Sequence, residues 1–148
     1  MDARTPAFME LSALLTGLYN IVNDPEDKAL YTPIADEYLR RLLAVFPVGL
    51  PKLLGAYSTL SSANPKPSID NALLAKLRAT QEFTDKEVEL AARQIVNIWY
   101  FSQFKGSDDK EAPFLDGGFY ERGAVWPLIK THPIGFSNQP HGYWKKQP

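Results

Sequence analysis

The residue types that do chemistry are few in this chain, and their spacing is poor. There is no cysteine, which excludes a thiolate nucleophile, a disulfide framework, a Cys-ligated zinc or iron–sulfur site and covalently attached haem c. His132 and His141 are the only histidines. A metal site needs further ligands, and no HxxxH, His-x-Asp or EF-hand spacing accompanies them. They read as solvated or hydrogen-bonded tail residues. Asp108, Asp109 and Glu111 form an acidic cluster. Paired carboxylates do acid–base work only in a pocket that shifts a pKa, and this turn-rich stretch reads as an exposed turn. Gly106 and Gly117-Gly118 belong to no phosphate-binding pattern and also read as turns. Ser58, Ser61 and Ser62 lack a nucleophile elbow and a histidine in workable order. Trp99-Tyr100-Phe101, at the end of a helical pattern, could stack on a flavin, a sugar or a base. A core helix end or a protein interface uses the same residues. Arg122, beside Tyr120 and Glu121, suits a surface ion pair equally well. The inventory holds no convincing nucleophile, metal cage or phosphate loop, so no catalytic, cofactor-binding or metal-binding residue is assigned.

The elements that position these residues are helical. Phe8, Leu11, Leu14, Leu15, Leu18, Ile21 and Val22 follow helical spacing and predict one apolar stripe, stopped by Asn23-Asp24-Pro25. Thr32-Pro33 predicts the next helix start, with Thr as N-cap and Pro at the first helical position. Its stripe is Ile34, Tyr38, Leu42 and Val45, and Pro47, Gly49 and Pro51 break it. A short helix from about Pro51 to Leu60 buries Leu53, Leu54 and Tyr57. After the loop from Ser61 to Pro67, Ser68 is expected to cap a helix carrying Leu73, Leu74 and Leu77. Thr84-Asp85-Lys86-Glu87 reads as a capping box. It opens a helix of about 18–20 residues, ending at Ser102 or Phe104, whose buried face holds Val88, Ala91, Ala92, Ile95 and Trp99. No period-two alternation suggests a sheet. The expected fold is all-α: one domain, 1–148, with a bundle of about five helices over 1–104 and an irregular region over 105–148. That region holds a loop, a short helix from Tyr120 to Trp126 and a proline-punctuated tail. Leu15, Leu18, Leu42, Val88, Ile95 and Trp99 are the expected core.

The 148 residues suffice for one core without staples. Sixteen basic and 17 acidic residues give a net charge of -1, which argues against a nucleic-acid surface. No apolar run approaches the 18 residues a membrane span needs. Met1-Asp2-Ala3-Arg4-Thr5-Pro6 has neither a basic region before an apolar run nor paired arginines, so it does not read as a leader. The aromatics are unevenly placed: 11 of 18, including all three tryptophans, lie in the last 50 residues. Disordered tails are depleted in aromatics, so this one is expected to order against its own helices or against another protein.

A family resemblance rests on residues in a fixed order. Ala92-Arg93-Gln94-Ile95 is followed by Trp99-Tyr100 and, after a loop, by Tyr120-Glu121-Arg122-Gly123-Ala124-Val125-Trp126. Pro133-Ile134-Gly135-Phe136-Ser137-Asn138 and Gly142-Tyr143-Trp144 follow, before a final Pro148. This order resembles the small subunit of bacterial membrane-bound, FAD-dependent sugar and polyol dehydrogenases of the D-sorbitol and D-fructose dehydrogenase type. Phe8-x-x-Leu11-Ser12-x-x-Leu15-Thr16-Gly17 resembles the opening of that family's mature domain.

The resemblance implies a three-part enzyme in the periplasm, peripheral to the inner membrane. FAD sits in a large flavoprotein subunit that oxidises the sugar, and haem c sits in a multi-haem cytochrome subunit. The small subunit holds no cofactor and serves the flavoprotein's maturation, stability or export. Family members usually carry a twin-arginine leader, which this chain as written lacks. The residues expected to contact partners are Trp99, Tyr100, Tyr120, Trp126, Phe136, Tyr143 and Trp144, since Trp and Tyr are frequent interface anchors. Two rival readings stand beside it. One is a stand-alone helical enzyme or ligand-binding protein with a pocket at Trp99 and Tyr100. The other is a cytosolic chaperone for an exported partner.

Overall fold

The computed structural model describes residues 1–101. The expectations for the loop, short helix and tail of 105–148 fall outside the described residues. Their regular structure is entirely helical, with no strand among these residues. Six α-helices occur: α1 (Thr5–Thr16), α2 (Asn20–Asn23), α3 (Pro25–Val45), α4 (Gly49–Ser61), α5 (Asn71–Arg78) and α6 (Lys86–Phe101). A 3-10 turn over Gln81–Thr84 leads into α6.

The organising element is α6. Val88, Ala91, Ala92, Ile95, Ile98 and Trp99 recur at three- and four-residue steps and are all buried, as a helix with one apolar face requires. That face packs most extensively on α4 and α1, and also on α3. Phe8, Leu11 and Leu14 come to it from α1, Tyr38, Leu39 and Leu42 from α3, and Leu50, Leu53 and Tyr57 from α4. α5 adds Leu73 and Leu77 against α4 and α1. Leu42, Val88, Ile95 and Trp99 are buried as the stripes require. Leu15 and Leu18 are only partly buried; the stripe from Phe8 to Val22 is divided between two helices, and Leu18 falls in the break between them. Gly17, at φ 77°, ends α1 and sends its N–H to the Ala13 carbonyl. This left-handed stop is one that glycine adopts without strain.

Four further start and stop signals carry a different meaning from the expected one. Asp24-Pro25 starts a helix rather than stopping one. The Asp24 carboxylate accepts from the Glu26 and Asp27 amides, Pro25 stands in the first turn, and Glu26 and Asp27 put negative charge at the positive end of the helix. Thr32-Pro33 accordingly lies inside α3, where Thr32 Oγ1 donates to the Lys28 carbonyl at 2.6 Å instead of capping. Gly49 and Pro51 belong to the first turn of α4, where the amide that Pro51 lacks has no intrahelical acceptor. The cap of α5 is Asp70, whose carboxylate accepts from the Leu73 amide at 2.9 Å, and not Ser68.

The capping box is displaced by one residue. Thr84 sits in the 3-10 turn with its hydroxyl donating to the Gln81 carbonyl at 2.7 Å. The carboxylate of Asp85 instead accepts from the Glu87 amide at 2.9 Å. The Lys52 ammonium, which donates to Asp85 at 3.1 Å, and then the Glu87 amide hold the Asp85 carboxyl below its ordinary pKa. Asp85→Ala is therefore expected to cost about 1 kcal/mol. Thr84→Ala, on the exposed side of the turn, should shift the urea midpoint by less than half as much.

The start of α1 is tied to α3. Asp36 accepts from the Thr5 hydroxyl at 2.7 Å and the Asp2 amide at 2.9 Å. The Thr5 hydroxyl is the main cause of the lowered pKa of the Asp36 carboxyl.

Candidate functional site

Two places in the described body bear on function: the aromatic end of α6, and a cleft between α1, α2 and the loop before α5.

Trp99, Tyr100 and Phe101 point different ways because consecutive helical residues are about 100° apart. Trp99 faces inward and is 1% exposed. Its indole meets Tyr38 edge-on at 5.2 Å between ring centroids and Tyr31 at 5.9 Å, the geometry that aromatic quadrupoles favour. Its Nε1–H has no hydrogen-bond partner among the described residues. Tyr100 is partly buried, and its hydroxyl donates to the Thr16 carbonyl at 2.9 Å, fastening the end of α6 to the end of α1. Burial also raises the Tyr100 hydroxyl's pKa. Phe101 is 45% exposed. The inward residue is thus a core anchor, the middle one a staple, and the outer one an apolar group on the surface. Tyr120, Trp126, Phe136, Tyr143 and Trp144 lie outside the described residues, as do His132, His141, the acidic cluster and Arg122.

The serines are engaged locally. Ser61 Oγ donates to the Ser58 carbonyl and Ser62 Oγ to the Thr59 carbonyl, so both hydroxyls turn back on α4. Among the described residues, no group of three or more His, Asp or Glu side chains could hold a metal. No helix there is long and apolar enough to cross a membrane.

The cleft has a volume of about 460 Å³ and is walled by α1, α2, the first turn of α3 and the segment before α5. Glu10 stands in it, held from two sides: Tyr57 Oη donates to Oε2 and Lys66 Nζ to Oε1, each at 2.8 Å. Burial, followed by the Glu10 carboxylate, pushes the Tyr57 hydroxyl well above its ordinary pKa, so it remains a donor. Glu10, Tyr57 and Lys66 were absent from the sequence-level candidates. They are far apart in the chain, and no local spacing announces a three-way contact. A second cleft, of about 370 Å³, lies over α6 and is lined by Leu15, Phe83, Arg78 and Arg93 among others. Neither cleft is lined by Trp99 or Tyr100.

No protein family, curated protein or solved structure matches the chain.

Proposed function

We propose that the chain is a non-catalytic small subunit of a heterotrimeric FAD-dependent sugar or polyol dehydrogenase. In this reading it stabilises the flavoprotein large subunit in the periplasm and helps its export, while a multi-haem cytochrome c takes the electrons. The observation that carries the reading is the ordered aromatic series from Trp99-Tyr100 through Tyr120-Glu121-Arg122-Gly123 to Gly142-Tyr143-Trp144. An all-helical body supports it, as does an α6 whose last turn leaves Phe101 exposed at the start of the aromatic-rich region. FAD and haem belong to the partners. The rival reading, a ligand pocket at Trp99 and Tyr100, is weakened by the burial of Trp99 against Tyr31 and Tyr38.

Co-expression with a flavoprotein large subunit of that dehydrogenase type tests the proposal. The full chain should co-purify with active flavoprotein. By itself it should show neither flavin nor haem absorbance and oxidise no sugar with an artificial acceptor. Trp144→Ala should weaken the association by on the order of 2 kcal/mol without changing helical content. Failure to retain any flavoprotein, or sugar oxidation by the isolated chain, would overturn the reading.

A further inference from the structure

The 460 Å³ cleft has a division of character that the accessory role does not use. Met9, Val22 and Ile69 give its lining an apolar part, and Glu10, Asn23, Lys28, Lys66 and Ser68 a polar one. The one carboxylate within it, Glu10, is already engaged at both oxygens, by Tyr57 and Lys66. Lys66 spends one of its three N–H donors there and keeps the others. Lys28 makes no side-chain hydrogen bond or ion pair among the described residues. Its backbone is fixed, with its amide on the Asp24 carbonyl and its own carbonyl taking the Thr32 hydroxyl. Nor does helix stability explain a cation here. Lys28 sits near the positive end of α3, where acidic residues are favoured. The cleft lining thus carries two ammonium groups against one carboxylate beside an apolar part, with Asp24, Glu26 and Asp27 close to Lys28 at the start of α3, in a volume within the small-molecule range.

We infer that this cleft binds a small amphiphilic organic anion, with the acidic head at Lys28 and Lys66 and a short alkyl body on Met9, Val22 and Ile69. The apolar part of the lining discriminates against a bare inorganic anion. The unpaired ammonium discriminates against a neutral amphiphile of the same length.

Titration of the isolated full chain with octanoate, followed by backbone amide resonances, tests this without any partner. It is therefore independent of the proposed subunit role. Shifts should centre on Met9, Val22, Lys28 and Ile69. Octanoate should bind about tenfold more tightly than octanol or acetate, and its binding should weaken as salt is raised. Lys28→Gln should lose about tenfold in affinity, and Lys28→Arg should retain it. Because Lys28 is exposed, neither variant threatens the fold. Equal binding of octanol, an unchanged Lys28→Gln titration, shifts centred on the second cleft, or no shifts at millimolar octanoate would each overturn the inference.

Discussion

Trp99→Ala is expected to destabilise the chain by about 3–5 kcal/mol, the range for removing a buried tryptophan from a packed core. The reason is its surroundings. The indole is 1% exposed and is met edge-on by Tyr38 and Tyr31, so truncation forfeits both aromatic contacts and leaves a cavity where α3 and α6 meet. Trp99→Phe separates two contributions. It keeps a ring at the site, and it removes an Nε1–H that is buried without an acceptor among the described residues, a group whose burial is itself unfavourable. The Phe variant should thus cost no more than half as much as the Ala variant. Urea unfolding of the full chain measures both. If Trp99→Ala moved the midpoint no more than an ordinary surface substitution, within about 0.5 kcal/mol, the indole would have to be a surface group.

Gly49→Ala should also destabilise, by about 1–3 kcal/mol, although alanine is the better helix former. A methyl group on Gly49 would lie 2.7 Å from Glu87 Cγ, 2.9 Å from the Glu87 carbonyl oxygen and 3.0 Å from its carbonyl carbon. The side-chain atom can turn away, but the backbone atoms cannot move without separating the first turns of α4 and α6. Overpacking at that junction outweighs the propensity gain. The internal control is Gly55, on the same helix, where an added methyl group would meet nothing within 4 Å. Gly55→Ala should stabilise by up to about 1 kcal/mol. Thermal unfolding of the two variants should give shifts of opposite sign. Equal shifts would show that helix propensity alone governs α4.

Much of the fold was legible because apolar periodicity survives tertiary context. The α6 face, the Leu53–Tyr57 stripe and Ile34, Tyr38 and Leu42 are buried as their spacing requires, while Val45, the last residue of that stripe, is only partly buried. The misread signals share a cause: short polar residues beside proline mark an end without saying which side of it is helical. Asp24-Pro25 and Thr32-Pro33 have the same form. Asp24 accepts from two amides, whereas Thr32 bonds back to Lys28, and only the first is a cap. Thr84 and Asp85 compete for one role, and the carboxylate takes it. The Glu10–Tyr57–Lys66 contact was not legible at all, since it depends on how α1, α4 and the following loop fold together.

Pro33 divides α3 into two grades of protection against solvent exchange. Without an amide proton at residue 33, the carbonyl of Ala29 loses its usual helical donor. Every buried α3 residue – Ile34, Ala35, Tyr38, Leu39 and Leu42 – lies beyond that gap. Leu30, before it, is 58% exposed. Unwinding from Pro25 to Thr32 therefore releases none of α3's own fully buried side chains, although it takes Tyr31 off the Trp99 indole, while unwinding past Ile34 opens the centre of the bundle. Amide protons of the first two turns are expected to exchange through a low-energy local opening, and those beyond Asp36 only when the whole body unfolds; a hydrogen-exchange time course distinguishes the two. The turn that carries Lys28 holds none of α3's fully buried side chains, so it is the part of α3 expected to adjust to the inferred guest with the least disturbance of the core.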